Sequence, residues 1–339
     1  MSITIKGFQP QDFFDTYNLA RGLSGEGNFL EAKKLIDIVI DFLMPELTTP
    51  MSFTFITNRD KASIFGFAGY IYGELGFEKQ SLEYYRRYQY YNFQLKNDFN
   101  NEDNLRLFQF RACNEYNLTN LKNNQVSLVS PRKQNDIVDS PVFTWVDYVL
   151  GIKESKYKKH IPLLKQSFED YKSTSFCKDT PEKKVVQNTL MWAHYANSHK
   201  GFCVEYSLDH SDFSRNDKRQ LYTSRIFQID YRSTNDLDID LTDPNTILNS
   251  KQGFFTKSTD WSYENEVRLI SYDPFSTEEY PSFVLGQKSK IVSIYFGVRC
   301  DDDKKGEIRE ALRDREVKYF QMRINPKNIF LLTFEEIKS

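Results

Sequence analysis

Three short stretches concentrate the side chains able to do chemistry. MWAHYANSHKGFCVEY, Met191 to Tyr206, holds two of the four histidines, a tryptophan, two tyrosines and a glutamate. LMWAHYANSHK reads as the last turns of a helix, closed by Gly201 in a left-handed cap. On that helix Tyr195 and His199 share a face, and His194 and Ser198 share the next. GFCVEY then alternates as a strand, with Phe202, Val204 and Tyr206 on one side and Cys203 and Glu205 on the other. A helix end thus delivers two imidazoles and a phenol beside a strand that carries a carboxylate. The competing assignment puts Met191, Trp192 and Tyr195 in the core and bonds the histidines to backbone. The spacing between His194 and His199 matches no common helical ligand pair, so no metal is expected.

TKSTDWSYENEVRLI, Thr256 to Ile270, is the second stretch. Read as a strand, it turns Glu264, Glu266 and Arg268 to one face and Tyr263, Asn265, Val267 and Leu269 to the other. Two carboxylates so placed repel unless a cation lies over them. Arg268 supplies one in a salt-bridged solvent face. Alternatively, positive charge developing in a substrate takes that place. The third stretch is FQFRACNEY, where Arg111 ends a short strand. A guanidinium there can hold phosphate or carboxylate with a bidentate fork. SPRKQNDIVDS, from Ser130 to Ser140, has the turn residues of a loop able to close over a ligand.

These stretches need a scaffold, and the 339 residues suffice for two domains. A composition of 40% hydrophobic and 27% charged residues is that of a soluble globular chain. A net charge of -2 argues against a protein that coats nucleic acid. Lys122, Arg132 and Lys133 would serve a local nucleic-acid track or ordinary solvated surface equally well. Four scattered cysteines without a CxxC point to a reducing compartment. The N-terminal MSITIKGFQPQDFFDTY has no apolar h-region, and no apolar run approaches about 18 residues. A cytoplasmic protein without a membrane segment is therefore expected.

Residues 1–100 read helical. EGNFLEAKKLIDIVIDF and ELGFEKQSLEYYRRYQY align with each other, each a tight turn into a helix with a small residue, Ala32 or Ser81, at a close approach. They resemble tetratricopeptide-type hairpins, with a plain four-helix bundle as the alternative. Residues 104–339 mix strands and helices without a βαβ rhythm. Strands are expected at LRLFQFRA, VSLVS, GFCVEY, RIFQIDY, NEVRLISY, PSFVLG, KIVSIYFG, KYFQMRI and NIFLLTF. Helices are expected at NEYNLTNLKNNQ, capped by Asn114, and at PVFTWVDYVLGIK, KHIPLLKQSFEDYK, TDPNTILNSKQGFF and DDKKGEIREALRD. The fold class is α+β with an antiparallel-rich sheet. No G-x-G-x-x-G after a strand, Walker, G-x-S-x-G or H-E-x-x-H motif occurs.

In order, RLFQFRACNEYNLTNLKNNQVSLVSPRKQNDIVDS, MWAHYANSHKGFCVEY, TKSTDWSYENEVRLI and IYFG resemble a widespread bacterial domain family of unknown function. Its hallmark is the MWxHYAxxHxGFxxEF string. The resemblance covers about Arg106 to the C-terminus. Asn135-Asp136-Ile137-Val138-Asp139 departs from the family's Asn-Asp-Pro-Phe-Asp element by lacking the proline. The family is remotely similar to the ADP-ribosyltransferase superfamily, several members of which act in toxin–antitoxin or anti-phage systems. That resemblance implies a split β-sandwich, NAD as substrate and no metal. It places Arg111 at the first-strand position, Ser130 at the end of the second strand, and Glu264 or Glu266 at the later-strand glutamate. Tyr195, Trp192 or Tyr263 would face the nicotinamide, and His194 or His199 would bond ribose hydroxyls or deprotonate an acceptor. The implied acceptor is a protein or a nucleic acid, with the helical region binding a target, an antitoxin or another regulator. Two further readings stay open: a non-catalytic nucleotide- or partner-sensing module, and a metal-dependent nuclease-like effector using Glu264 and Glu266.

Overall fold

The computed structural model describes residues 10–48, 56–94, 105–130, 133, 160–213, 215–217, 222–233, 255–276 and 281–338. The Asn135–Asp139 element and nearly all of the helical stretches expected at 141–153 and 242–255 lie outside them.

Two helical hairpins open the chain, as the internal similarity predicts. Helices α1 (Pro10–Gly25) and α2 (Phe29–Thr48) form the first, and α3 (Asn58–Glu74) and α4 (Glu78–Phe93) the second. Each turn passes through a left-handed glycine, Gly27 at φ 81 and Gly76 at φ 82, a conformation that costs a side chain energy and glycine little. Thr57 starts α3 with a reciprocal capping box to Asp60. The small residues sit where the helices touch. Ala32 and Ser81 are fully buried, and the Ser81 hydroxyl donates to the Gly69 carbonyl at 2.6 Å.

After β1 (Leu105–Arg111), the cap Asn114 accepts from the Asn117 amide and starts α5 (Glu115–Lys122). Strand β2 (Gln125–Ser127) follows, then α6 (Ile161–Glu169). The helix expected to run on to Lys172 stops at Glu169, and Tyr171–Cys177 is instead strand β3. The strand is held by antiparallel pairing with the later strand Glu266–Tyr272 along its whole length, from Tyr171↔Tyr272 to Cys177↔Glu266, and five of its seven residues are buried. Then come α7 (Thr189–Tyr195), β4 (Phe202–Leu208), the single turn α8 (His210–Phe213), β5 (Arg215–Asp217), β6 (Tyr222–Gln228) and β7 (Asp230–Arg232). The chain ends with β8 (Thr256–Ser258), β9 (Glu266–Tyr272), β10 (Ser282–Val284), β11 (Lys290–Phe296), α9 (Asp302–Ala311), β12 (Lys318–Ile324) and β13 (Leu332–Ile337).

Nine strands form one sheet in the order β13-β12-β11-β4-β1-β3-β9-β6-β5; β10-β2 and β7-β8 are two-stranded ribbons. Within the large sheet only β11–β12 is parallel, so the α+β, antiparallel-rich expectation holds. The sheet nearly parts at its middle. Strand β1 keeps register with β4 from Leu105↔Leu208 to Arg111↔Phe202, and β3 keeps register with β9 from Tyr171↔Tyr272 to Cys177↔Glu266. Between β1 and β3 the single register pair is Phe108↔Cys177.

The hairpins are not packed only on themselves. Their core continues through Ile161 and Phe168 of α6 into Tyr171, Phe227, Ile270 and Tyr272 of β3, β6 and β9. Arg86 of α4 clamps Asp170 with two hydrogen bonds, of 2.9 and 3.3 Å, and Tyr272 donates its hydroxyl to the Arg86 carbonyl at 3.0 Å. On the other half-sheet, Leu107, Phe202 and Val204 pack with Ile308 and Leu312 at α9, while Phe108, Phe110 and Cys203 pack with Met191 and Trp192 of α7.

Candidate functional site

The gap between β1 and β3 opens into a cavity of about 270 Å³. Strand β1 contributes Gln109, Phe110 and Arg111, and β3 contributes Ser173, Thr174 and Ser175. Met191 and Tyr195 come from α7; Lys257, Trp261, Glu264 and Glu266 come from the β8–β9 segment. Ladder hydrogen bonds lost at the split are partly replaced by side chains. Gln109 donates from Nε2 both to Thr174 Oγ1 and to the Ser175 carbonyl, each at 3.0 Å. Buried backbone acceptors need such partners.

The two glutamates do not share a strand face, contrary to the strand expected from 263 to 269. Thr259–Glu264 is a 3₁₀ helix and β9 starts only at Glu266. Between them Asn265 adopts the left-handed conformation, φ 43 and ψ 56. Asn265 tolerates that region, and its amide pays its way by donating to the Lys178 carbonyl at 2.8 Å. The kink brings Glu264 and Glu266 into the same cavity by a route that strand alternation would not give.

Nor is this a solvent face. Glu264, Glu266, Arg268 and Lys257 are all buried. Lys257 Nζ bridges the acids, 2.7 Å from Glu264 Oε2 and 3.2 Å from Glu266 Oε2. It also lies 4.8 Å from the centroid of the Trp261 ring. Arg268 grips Glu266 with both arms of its fork, Nε to Oε1 at 2.5 Å and Nη2 to Oε2 at 3.0 Å. Ser175 Oγ donates to the same Oε1 at 2.5 Å. For Glu266, burial disfavours the charge, but the Arg268 charge and hydrogen bonds, with Lys257 and Ser175, outweigh it and hold the carboxyl at about 2. For Glu264, which lacks the guanidinium, burial prevails over Lys257 and the Tyr195 hydrogen bond and the pKa rises. Tyr195 donates its hydroxyl to Glu264 Oε1 at 2.5 Å; burial and that nearby carboxylate push the phenol well up, so it stays a donor.

Across the cavity, Arg111 makes one long hydrogen bond, 3.4 Å to Thr174 Oγ1, and has no carboxylate partner among the described residues. Its pKa is lowered by burial. Counting Lys257, Arg268 and Arg111 against Glu264 and Glu266, the site carries one more positive than negative charge, an anion-attracting balance.

The other expected site residues are placed differently. Helix α7 closes at Tyr195, and Asn197, Ser198 and His199 follow in left-handed conformation, so His199 does not share a face with Tyr195. Gly201 is not the left-handed cap. A Cβ there would meet the Arg111 carbonyl at 2.1 Å, so glycine is needed for close backbone approach. His199 is half-buried away from the cavity lining. Its amide donates to the Trp192 carbonyl and its own carbonyl accepts from the Arg299 amide, while burial and the Arg299 charge lower its pKa. Trp192 lies beneath the lining, fully buried, its Nε1 donating to the Val186 carbonyl at 2.7 Å and its ring edge-on to Phe110. His194 is exposed at the rim, 6.4 Å from Trp261 between ring centroids, and Tyr263 flanks that tryptophan at 6.0 Å. Ser130 lies past the end of β2; Ser127 and Val129 line the cavity in its place, Val129 bridging to Ser173.

The match with known proteins covers the α7-to-β9 part of this site. Residues 191–269 match the family described as "Protein of unknown function (DUF2971)". Comparisons with curated proteins and with solved structures return no match. The DUF2971 segment contributes Tyr195, Lys257, Trp261, Glu264 and Glu266; Arg111 and the β3 hydroxyls come from outside it. Sequence reasoning passed over Lys257, Thr174, Ser175 and Gln109. Lys257 left only a faint trace, a lysine a short distance before the two acids in the chain. No group of three or more His, Cys, Asp or Glu side chains suited to a metal occurs among the described residues. No described helix is long and apolar enough to cross a membrane.

Proposed function

We propose that the cleft binds NAD, breaks its nicotinamide–ribose bond and transfers ADP-ribose to a protein or nucleic-acid acceptor. One observation carries the reading. A guanidinium without a carboxylate partner among the described residues and a buried glutamate line the same cavity, at the parting of the sheet. Breaking the C1′–N bond sends both electrons to the nicotinamide nitrogen and leaves positive charge on the ribose. A carboxylate fixed nearby stabilises that charge and accepts from a ribose hydroxyl. An acceptor lone pair then bonds to C1′ and releases its proton. Arg111 suits the pyrophosphate, and Tyr195 and Trp261 offer ring faces to the nicotinamide. The cavity, about 270 Å³, lies just below the range of about 300–1,000 Å³ usual for small-molecule sites. The nicotinamide–ribose half would sit inside, with the adenosine along the open mouth. The hairpins are the proposed surface for a target, antitoxin or other regulator, in keeping with a toxin or anti-phage effector in the cytoplasm.

Lys257 favours one second reading. By neutralising the carboxylates it suits a site that holds a nucleotide without cleaving it, as in a sensor. Nicotinamide release separates the two. The full chain is incubated with NAD, with and without protein, DNA and RNA acceptors. Release supports the transferase; NAD binding without release in every condition supports the sensor; neither binding nor release overturns both.

A further inference from the structure

Resting on the transferase reading, we infer that Glu264 is the catalytic carboxylate and that Glu266 and Lys257 are positioning residues that hold it in place. The argument is a count of lone pairs. An ionised carboxylate offers about four acceptor sites. Glu266 uses them all: Ser175 and Arg268 Nε on Oε1, and Arg268 Nη2 and Lys257 on Oε2. Its mounting is equally fixed, since its backbone amide donates to the Tyr231 hydroxyl at 2.8 Å and its strand is paired on both sides. A ribose hydroxyl that approached Glu266 would have to displace a charged donor. Glu264 accepts one bond on each oxygen, from Tyr195 and from Lys257, and keeps a lone pair on each. It stands at the end of the 3₁₀ helix, against the cavity, where those lone pairs face a substrate.

The remaining geometry gives Glu266 its task. Lys257 spans both acids, so Glu266, itself anchored by Arg268, anchors the ammonium that orients Glu264. The chain is Arg268 to Glu266 to Lys257 to Glu264, with only the last member reaching the reacting sugar.

The test compares wild type, Glu264→Gln, Glu264→Asp and Glu266→Gln in nicotinamide release, NAD binding by calorimetry, and thermal melting. Glu264→Gln is expected to lower kcat about 100- to 1,000-fold, the usual loss of a preorganised electrostatic partner, with NAD affinity close to wild type and a smaller loss of melting temperature than Glu266→Gln, because Lys257 keeps its contact with Glu266. The acidic limb of the pH–rate profile should vanish from its residual activity, because that limb reports the group that must be ionised. Glu264→Asp should restore part of kcat. Glu266→Gln should melt earlier yet retain measurable turnover with the acidic limb in place. If Glu266→Gln fails to fold, labelling of folded wild type with a water-soluble carbodiimide and glycinamide, read by mass spectrometry, takes its place: Glu264 should react first. Activity surviving in Glu264→Gln, or Glu266 labelling first, overturns the assignment while leaving the transferase reading intact. Wild type that neither binds NAD nor releases nicotinamide overturns both.

Discussion

Replacing Lys257 with methionine keeps the aliphatic stem and removes the charge between the two acids. At an effective dielectric of about 20, the 2.7 and 3.2 Å contacts correspond to gross attractions of about 6 and about 5 kcal/mol. The buried ammonium loses several kcal/mol of hydration in exchange, and removing one member of a buried ionic group typically costs about 3–5 kcal/mol net. The variant should lose about that much stability at pH 8, measured by urea unfolding. The loss should also depend on pH. Burial already raises the Glu264 pKa, and without Lys257 it rises further above its unfolded value. A carboxyl raised in the folded state binds its proton more tightly there, so its contribution is present at low pH and lost as pH rises through the folded pKa. The deficit should therefore shrink on going from pH 8 to pH 5, with a limiting slope of about 1.4 kcal/mol per pH unit. A deficit below about 1 kcal/mol at pH 8, the value of a surface pair, would refute the reasoning. So would a deficit equal at the two pH values.

Arg111→Ala should weaken NAD binding about 10- to 100-fold, from the usual 1.5–3 kcal/mol of a charged hydrogen bond, and leave unfolding by urea nearly unchanged; equal affinity by calorimetry would remove Arg111 from the site. Gly201→Ala sets a Cβ 2.1 Å from the Arg111 carbonyl and 2.9 Å from that of Ala196, and should destabilise by at least about 1–3 kcal/mol. Gly306→Ala, in α9 with nothing within 4 Å, should stabilise by up to about 1 kcal/mol; melting curves of the pair compare the two. Asn265→Val should lower both stability and nicotinamide release, since a β-branched residue resists the left-handed turn that separates the glutamates; unchanged melting would show that the turn is not needed.

The parts of the fold with strong local signals were legible in the sequence. Gly27 and Gly76 marked the hairpin turns, Asn114 marked the start of α5, alternation marked β4, and short strand-type runs marked β1, β9 and β11. Strand β3 escaped because YKSTSFC carries too few large apolar residues to stand out behind an amphipathic helix, and its hydroxyls face a polar cleft. Arg111 and the glutamate pair were visible as types in a pattern. Their geometry was not, because it depends on one left-handed asparagine. Lys257 was hidden for a different reason: lysines are almost never buried unless paired, and the pairing exists only once β8 and β9 have folded together.

The hairpins grip only one jaw of the cleft. Among the described residues their core takes side chains from β3, β6 and β9, the half-sheet of Ser175, Glu266 and Arg268, and none from β1, which carries Arg111. The two jaws meet in the large sheet at Phe108 and Cys177 alone. Whatever seizes the helices thus pulls on the acidic jaw directly, and among the described residues the guanidinium jaw follows through that joint and through the core that Leu107 of β1 shares with Phe176, Val267 and Leu269.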